Sequence, residues 1–311
     1  MRAITQSAFG KPEVLQVVEI PAPSAGPGEV VVATRAAGVN PVDAAVRAGV
    51  APLLGDPPFT VGWDAAGVVS EIGPGVTEFQ VGDRVYGMLR FPAEAAAYAE
   101  LVVADATELA HIPDAVDDEH AAALPLVALT AHQALVEIAD LKGGERVLIH
   151  AAGGGLGHVA VQLAHELGAH VIATCSPGKA DFVRSLGAAE VIDYTSEDFT
   201  DVEPVDIVLD SLGGDITARS LRTVRGGGTL ALFIGDFDDE VRAEADQRGV
   251  RLARISVLPN TEALAMITDL LSRGRLVPHV SATFPLEHAA DAHRHLGTGV
   301  QGKVVLVVAD S

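Results

Sequence analysis

Cysteine is almost missing from this chain of 311 residues. Cys175 stands alone, so no disulfide can form within the chain, and a zinc site built from several thiolates is excluded. Aromatic residues make up only 4%, which leaves Ala, Val, Leu and Ile to build the cores. Positive charge is also scarce: 21 Lys and Arg face 42 Asp and Glu, a formal net charge of -21. That balance repels phosphate backbones and anionic membranes, so no nucleic-acid partner is expected. No run approaches the roughly 18 apolar residues of a membrane span. His150 and several glycines interrupt the best candidate, around residues 146–164. Met1 to Gln6 carries one positive charge with no long apolar run behind it, unlike a secretion signal. The expectation is a cytoplasmic protein without membrane association.

What is present is a hydrophobic fraction of 49%, enough for sizeable cores, on a length that suggests two domains. The first hundred residues read as short strands between Gly/Pro turns: 29–34, 66–72, 83–88 and 99–103. Such texture predicts a small β-barrel. Asp117-Asp118-Glu119 is suited to opening a helix, acids being favourable at its positive end. From Glu145 onward strands and helices alternate, with strand-like runs at 145–150, 170–175, 191–193, 206–210 and 228–235. That alternation predicts a doubly wound parallel sheet covered on both faces. After about residue 274 the strand texture returns. The expected division is therefore a barrel domain of residues 1–120 together with 274–311, and an inserted nucleotide-type domain of 121–273.

Ala151-Ala152-Gly153-Gly154-Gly155-Leu156-Gly157 lies between a strand-like and a helix-like run. As a dinucleotide fingerprint it places Ala152, Gly154 and Gly157 at the three special positions. Gly154 lets backbone approach a pyrophosphate, Gly157 lets helix and strand approach each other, and the following amides face the phosphates. An NAD site usually has an acid about 20 residues further on, at the next strand end. Here that place reads Thr174-Cys175-Ser176-Pro177-Gly178-Lys179. Hydroxyls and an ammonium suit a 2'-phosphate, so NADPH is expected over NADH.

These residues resemble the zinc-independent medium-chain dehydrogenases/reductases of the quinone oxidoreductase group. The resemblance rests on Phe9 to Leu15, Gly38 to Asp43, Gly62 to Val69, Leu124 to Ala131, the glycine loop with Val161 to Ala164, and Gly302 to Leu306. It implies an α/β protein, a GroES-like β-barrel domain plus a Rossmann domain, with the cofactor in the cleft between them. It further implies Asn40 near the nicotinamide, and Thr130 at the start of the linking helix. Gly154, Gly155 and Leu156 would lie at the pyrophosphate, and Thr174, Ser176, Lys179 and Tyr194 at the adenosine phosphate. Phe233 and Ile234 would pass the nicotinamide ribose, with Lys303 beside the cofactor. The family is commonly dimeric, and the apolar strand around Thr229–Phe233 is expected near a sheet edge.

Cysteine is missing where the alcohol dehydrogenase branch holds zinc: Asn40-Pro41-Val42-Asp43 and Gly62-Trp63-Asp64 stand at the matching places. No metal is expected. A tyrosine that quinone reductases of the family carry after the first segment is also missing from Ala44-Ala45-Val46-Arg47, and no proton donor can be named. Asp64 reads equally as a cleft acid or a structural strand start, and Trp63 and Cys175 as core. His150, His158 and His165 read as packing or exposed residues, His293 and His295 as solvent-facing, and the run Asp236, Asp238, Asp239, Glu240 as a solvated loop. The expected activity is NADPH-dependent reduction of quinones or α,β-unsaturated carbonyls by direct hydride transfer. An enoyl-thioester reductase and a non-catalytic NADPH-binding protein are the alternatives.

Overall fold

The turn-rich first third folds into short strands because Gly and Pro interrupt each apolar run. The computed structural model describes residues 1–308. Its early elements are β1 (Arg2–Gln6), β2 (Gln16–Glu19), β3 (Glu29–Val39), α1 (Pro41–Ala48), β4 (Phe59–Thr60), β5 (Asp64–Ile72), β6 (Arg84–Met88), β7 (Leu101–Asp105) and β8 (Leu109–His111). Two helices follow, α2 (Asp118–Ala122) and α3 (Pro125–His132), and α3 runs on into a π-helical turn at Gln133–Ile138. The expected helix start at Asp117 is the N-cap of α2, its side chain accepting from the His120 amide.

Alternating elements come next: β9 (Arg146–Ile149), α4 (Gly157–Glu166), β10 (His170–Cys175), α5 (Ala180–Ser185), β11 (Glu190–Asp193), β12 (Val205–Asp210), α6 (Asp215–Leu221), β13 (Val224–Leu232), α7 (Asp239–Arg248) and β14 (Arg251–Arg254). The chain closes with α8 (Thr261–Ser272), β15 (Val280–Pro285), α9 (Ala289–Leu296) and β16 (Lys303–Val307).

Met1–Leu129 and the chain from Leu258 onward form one compact unit, and Thr130–Val257 form a second. The sequence reading put these junctions near 120 and 274. In the structure the compact units divide at Leu129/Thr130 and Val257/Leu258; the second division precedes α8 because that helix buries Ala263, Leu264, Ile267 and Leu271 and packs on β8 of the first unit. The Tyr86 hydroxyl also hydrogen-bonds Thr268 Oγ1 at 2.9 Å.

In the first unit the main sheet runs β15-β16-β3-β5-β6-β8, with β7 also on β3, and a smaller sheet runs β2-β1-β4. β3 has partners along its whole length and is buried over most of it, hence its near-continuous apolar run. Two register shifts against β5 bend it.

The second unit is the expected parallel sheet, ordered β11-β10-β9-β12-β13-β14. Its inner strands are buried and mostly apolar, and Leu148, Ile172, Val208, Leu221, Leu230 and Val241 share one core. Strand order reverses between β9 and β12, the place where such sheets leave a crevice at their carboxyl ends. The strand containing Thr229–Leu232 lies one in from the edge. The edge belongs to β14, which the sequence reading did not find. The acidic run is also corrected: Asp238 caps α7, accepting from the Val241 amide, and Asp239 and Glu240 sit in its first turn. Negative charge there meets the positive end of the helix. Among the described residues no helix is long and apolar enough to cross a membrane.

Candidate functional site

The carboxyl end of the parallel sheet is shaped by the loop that leaves β9. Ala151 adopts a positive φ of 50, and Gly154 N donates back to Ala151 O at 2.9 Å, curling the loop before α4. Gly157 begins that helix against the loop itself. A Cβ there would lie 2.4 Å from Ala151 O and 2.6 Å from Ala152 Cα, so only glycine fits. Ala152 N donates to Thr174 O, tying the loop to the end of β10. Gly154, Gly155 and Leu156 remain partly exposed just ahead of the α4 amides.

Lys179 lies across this loop. A Cβ on Gly153 would come within 2.7 Å of Lys179 Cδ, so Gly153 makes room for the lysine stem. Partial burial pulls the ammonium below its ordinary pKa. Ser176 precedes the short turn Pro177–Lys179 and is half-exposed, and Tyr194 is 59% exposed beyond β11. Phe233 and the exposed Ile234 follow β13, and Phe233 N donates to Asp210 O at 3.0 Å.

A cavity of about 390 Å³ opens here, lined by His150, Ala151, Thr174, Tyr194, Phe199 and Arg219 among others. Its floor is rigid. His150 spans from Thr174 Oγ1 (3.0 Å) to Ser220 Oγ (2.9 Å) and meets the Phe199 ring edge-on at 4.7 Å. Burial holds His150 down at about 4, so it is neutral near pH 7. The Thr174 hydroxyl is thereby engaged inward. The Arg219 guanidinium lies over the Phe199 ring at 4.6 Å. Asp210 accepts from Leu212 N, Gly213 N and the Thr217 hydroxyl, fixing the turn after β12. Cys175 is buried, and burial pushes its thiol up. Thr130, buried within α3, is the first residue of this unit.

The first unit holds a second constellation, of which the sequence singles out Asn40, Lys303 and, with an open role, Asp64, while His293 is expected in solvent. Strand register assembles it. Val39 pairs with Val304 and Gly38 with Asp64, which sets Asn40 beside Lys303 and Asp64. The Asn40 amide Nδ2 donates to Asp64 Oδ2 at 2.8 Å, while Lys303 Nζ donates to Asn40 Oδ1. Leu126 N donates to the other Asp64 oxygen at 2.8 Å, and Lys303 Nζ stands 3.9 Å from Asp64 Oδ2. Asn40 N, at the start of α1, donates to Asp43 Oδ2 at 2.7 Å. The Tyr98 hydroxyl donates to the same oxygen at 2.8 Å.

His293 completes the group, and its expected exposure is wrong: it is 4% exposed, on the inward face of α9 with Ala289 and Ala292. Its Nε2 lies 3.2 Å from the Tyr98 oxygen and its Nδ1 3.0 Å from Arg47 Nη1. A tyrosine hydroxyl thus reaches the Asn40–Asp43 segment after all, from position 98. Spacing along the chain carried no signal for it. Burial raises Asp64 to about 6 against the opposing pull of Lys303. It raises Asp43 to about 7, against hydrogen bonds from Asn40 and Tyr98. Burial lowers Lys303, opposed by both carboxylates. Trp63 is core, its Nε1 donating to Ala93 O at 2.7 Å, and His165 is exposed.

A catalytic zinc does not fit this donor set. Asn40 and Asp64 are bonded to each other, and an ammonium stands between them as their cation. Among the described residues no three His, Cys, Asp or Glu side chains converge as metal ligands. A dinucleotide fits the second unit: a crevice at the carboxyl ends of the strands, a close-packed glycine loop and a lysine laid over it are features suited to binding phosphates.

Two family models match the chain. A family model described as an alcohol dehydrogenase GroES-like domain matches residues 26–114, and one described as a zinc-binding dehydrogenase matches 186–306. The chain is 38% identical to a 2-haloacrylate reductase of a Burkholderia species, over 96% of each. It is 40% identical over 90% of its length to the polyketide synthase GfsB of Streptomyces halstedii, but spans only 5% of that much longer protein. Among solved structures, the Escherichia coli quinone oxidoreductase complexed with NADPH superposes with a TM-score of 0.90 at 31% identity, covering 99% of this chain and 100% of that one. The CurK enoyl reductase superposes with the same TM-score at 28% identity, covering 99% of each.

Proposed function

This chain belongs to the quinone oxidoreductase family of the medium-chain dehydrogenases/reductases, and on that premise we propose that it is an NADPH-dependent reductase of quinones or α,β-unsaturated carbonyls, working without zinc. The observation that carries the reading is Lys179 laid over Gly153 of the glycine loop, with no carboxylate at the end of β10. An ammonium there stabilises a 2'-phosphate, where an acid would repel it. Ser176 and Tyr194 flank the same place, and Gly154, Gly155 and Leu156 offer backbone amides to the pyrophosphate. Thr130, Phe233, Ile234 and Lys303 complete the proposed contacts, and Thr174 contributes through its backbone and through His150.

The bound cofactor supplies the hydride. The protein's part is to place the acceptor's electrophilic carbon within about 3–3.5 Å of it and to orient polar groups toward the developing negative charge. Asn40, held by Asp64 and Lys303, is the group we assign to that orientation. An enoyl thioester is the second acceptor class, favoured by the shared fold of an enoyl reductase.

The test follows loss of reduced-nicotinamide absorbance with NADPH or NADH against an ortho-quinone, an enal and an enoyl thioester. Turnover favouring NADPH supports the reading, and the preferred acceptor separates the two classes. NADPH binding without turnover of any acceptor would instead support a non-catalytic binding protein. Lys179→Ala is expected to weaken NADPH about 10- to 100-fold, the worth of a charge-assisted contact, and NADH little. Equal losses for both would remove Lys179 from the 2'-phosphate.

A further inference from the structure

We propose that Arg47, His293, Tyr98 and Asp43 form a hydrogen-bond chain of fixed direction that positions Asn40 for the reaction. The proposal rests on the assignment of Asn40 to the acceptor. The direction follows from donor inventory. A guanidinium can only donate, so Arg47 Nη1 requires His293 Nδ1 to accept at 3.0 Å. Burial and the Arg47 charge hold His293 down at about 3, so the ring is neutral and its one proton sits on Nε2. That proton points at the Tyr98 oxygen, 3.2 Å away. Tyr98 then has its own proton free for Asp43 Oδ2 at 2.8 Å, the oxygen that also takes the Asn40 amide proton. Reversing any one link leaves two donors or two acceptors face to face.

The chain ends on a residue held at every polar atom that could turn it. Asn40 is fixed through its backbone N by Asp43, through Nδ2 by Asp64 and through Oδ1 by Lys303. These partners also decide which way the carboxamide faces. The groups come from α1, β5, β16, α9 and the segment before β7, and each is at most 9% exposed. A core needs no such assembly for stability, since apolar side chains of similar volume commonly serve as well as buried ion pairs. What the chain adds is a single orientation of one amide. Asp43 Oδ1 is left buried without a partner, so loss of Tyr98 leaves the carboxylate held by the Asn40 amide alone.

Tyr98→Phe removes only the hydroxyl and keeps the ring against His293, its edge-on neighbour at 5.8 Å. We expect NADPH binding to be unchanged and kcat to fall on the order of 10- to 100-fold, as for small misplacements of a positioning group. The acid limb of the kcat–pH profile should move to higher pH, because Tyr98 helps hold Asp43 down. His293→Gln retains an acceptor for Arg47 and a donor for Tyr98 and should recover most of kcat; His293→Leu should not. Unchanged kcat and pH limb in folded Tyr98→Phe, or equal kcat in the two His293 variants, overturns the proposal. A readout independent of turnover is the ¹⁵N spectrum of His293, where the Nε2–H tautomer is expected and the Nδ1–H tautomer overturns it. A wild-type protein inert toward every acceptor would refute the functional assignment, while the tautomer would still decide the chain.

Discussion

Replacing Lys303 by methionine keeps the length of the side chain and deletes the cation that two buried carboxylates share. At 3.9 Å from Asp64 Oδ2, a unit charge in surroundings of effective dielectric near 20 is worth about 4 kcal/mol. Removing one partner of a buried pair costs about 3–5 kcal/mol, which brackets that figure. The cost must depend on pH. Folded Asp64, raised to about 6, binds its proton more tightly than the unfolded chain does. Its contribution to stability is therefore greatest in acid and is lost as pH rises through the folded value. Without Lys303 that value climbs further, so the variant pays the penalty of a lone buried carboxylate, or of protonating it, across neutral pH. We expect Lys303→Met to lose about 3–5 kcal/mol at pH 8 and about 1 kcal/mol or less at pH 5, where a neutral carboxyl needs no cation. Trp63, the single tryptophan, is buried next to Asp64 and reports unfolding of this unit by its fluorescence in urea. An equal loss at both pH values would show that Lys303 acts through packing and refute the electrostatic account.

Gly157→Ala would press a methyl group onto the Ala151 carbonyl and should cost about 1–3 kcal/mol, with weaker NADPH binding; wild-type melting and titration curves would contradict the close-approach argument. His150→Gln should flatten the acid sensitivity of the second unit. His150 is depressed to about 4, so the stability it contributes is whole above about pH 6.5 and is lost as pH falls from there through the folded value of about 4; hydrogen exchange in β9 and β12 that weakens equally in both proteins on acidification would exclude the histidine. The exposed edge at β14 is the surface through which a homodimer would pair, and sedimentation of wild type at micromolar concentration should give twice the 32.0 kDa chain mass, a lone monomer removing the dimer.

The parallel sheet and its glycine loop were readable from sequence because their requirements fall on neighbouring residues. Alternating apolar runs, and a glycine where a helix touches its own loop, sit within one short window. β14 and α7 were missed for the opposite reason: β14 is an edge strand carrying Arg251 and Arg254, and α7 is mostly polar, so neither has an apolar signature. The cluster around Asn40 draws on positions 40, 43, 47, 64, 98, 293 and 303, and nothing along the chain links them. The pairings of Val39 with Val304 and Gly38 with Asp64 bring 40, 64 and 303 together, and the packing of α9 and of the segment before β7 adds 293 and 98. His293 looked solvent-facing beside Arg294 and His295, yet its spacing from Ala289 and Ala292 already marked the buried stripe of α9.

The placement of β16 beside β3 sets an order of events on the ribosome. All six strands of the second sheet lie between residues 146 and 254, so that sheet can close before β16 is made. β3 leaves the exit tunnel early and must wait for a neighbour more than 260 residues behind it, because Val39 meets Val304. Through that interval its apolar edge, and the carboxylates destined for Lys303, stand open to other nascent chains. The main sheet of the first unit thus combines contacts of very long sequence separation, whereas the second sheet is built from contacts within one contiguous stretch.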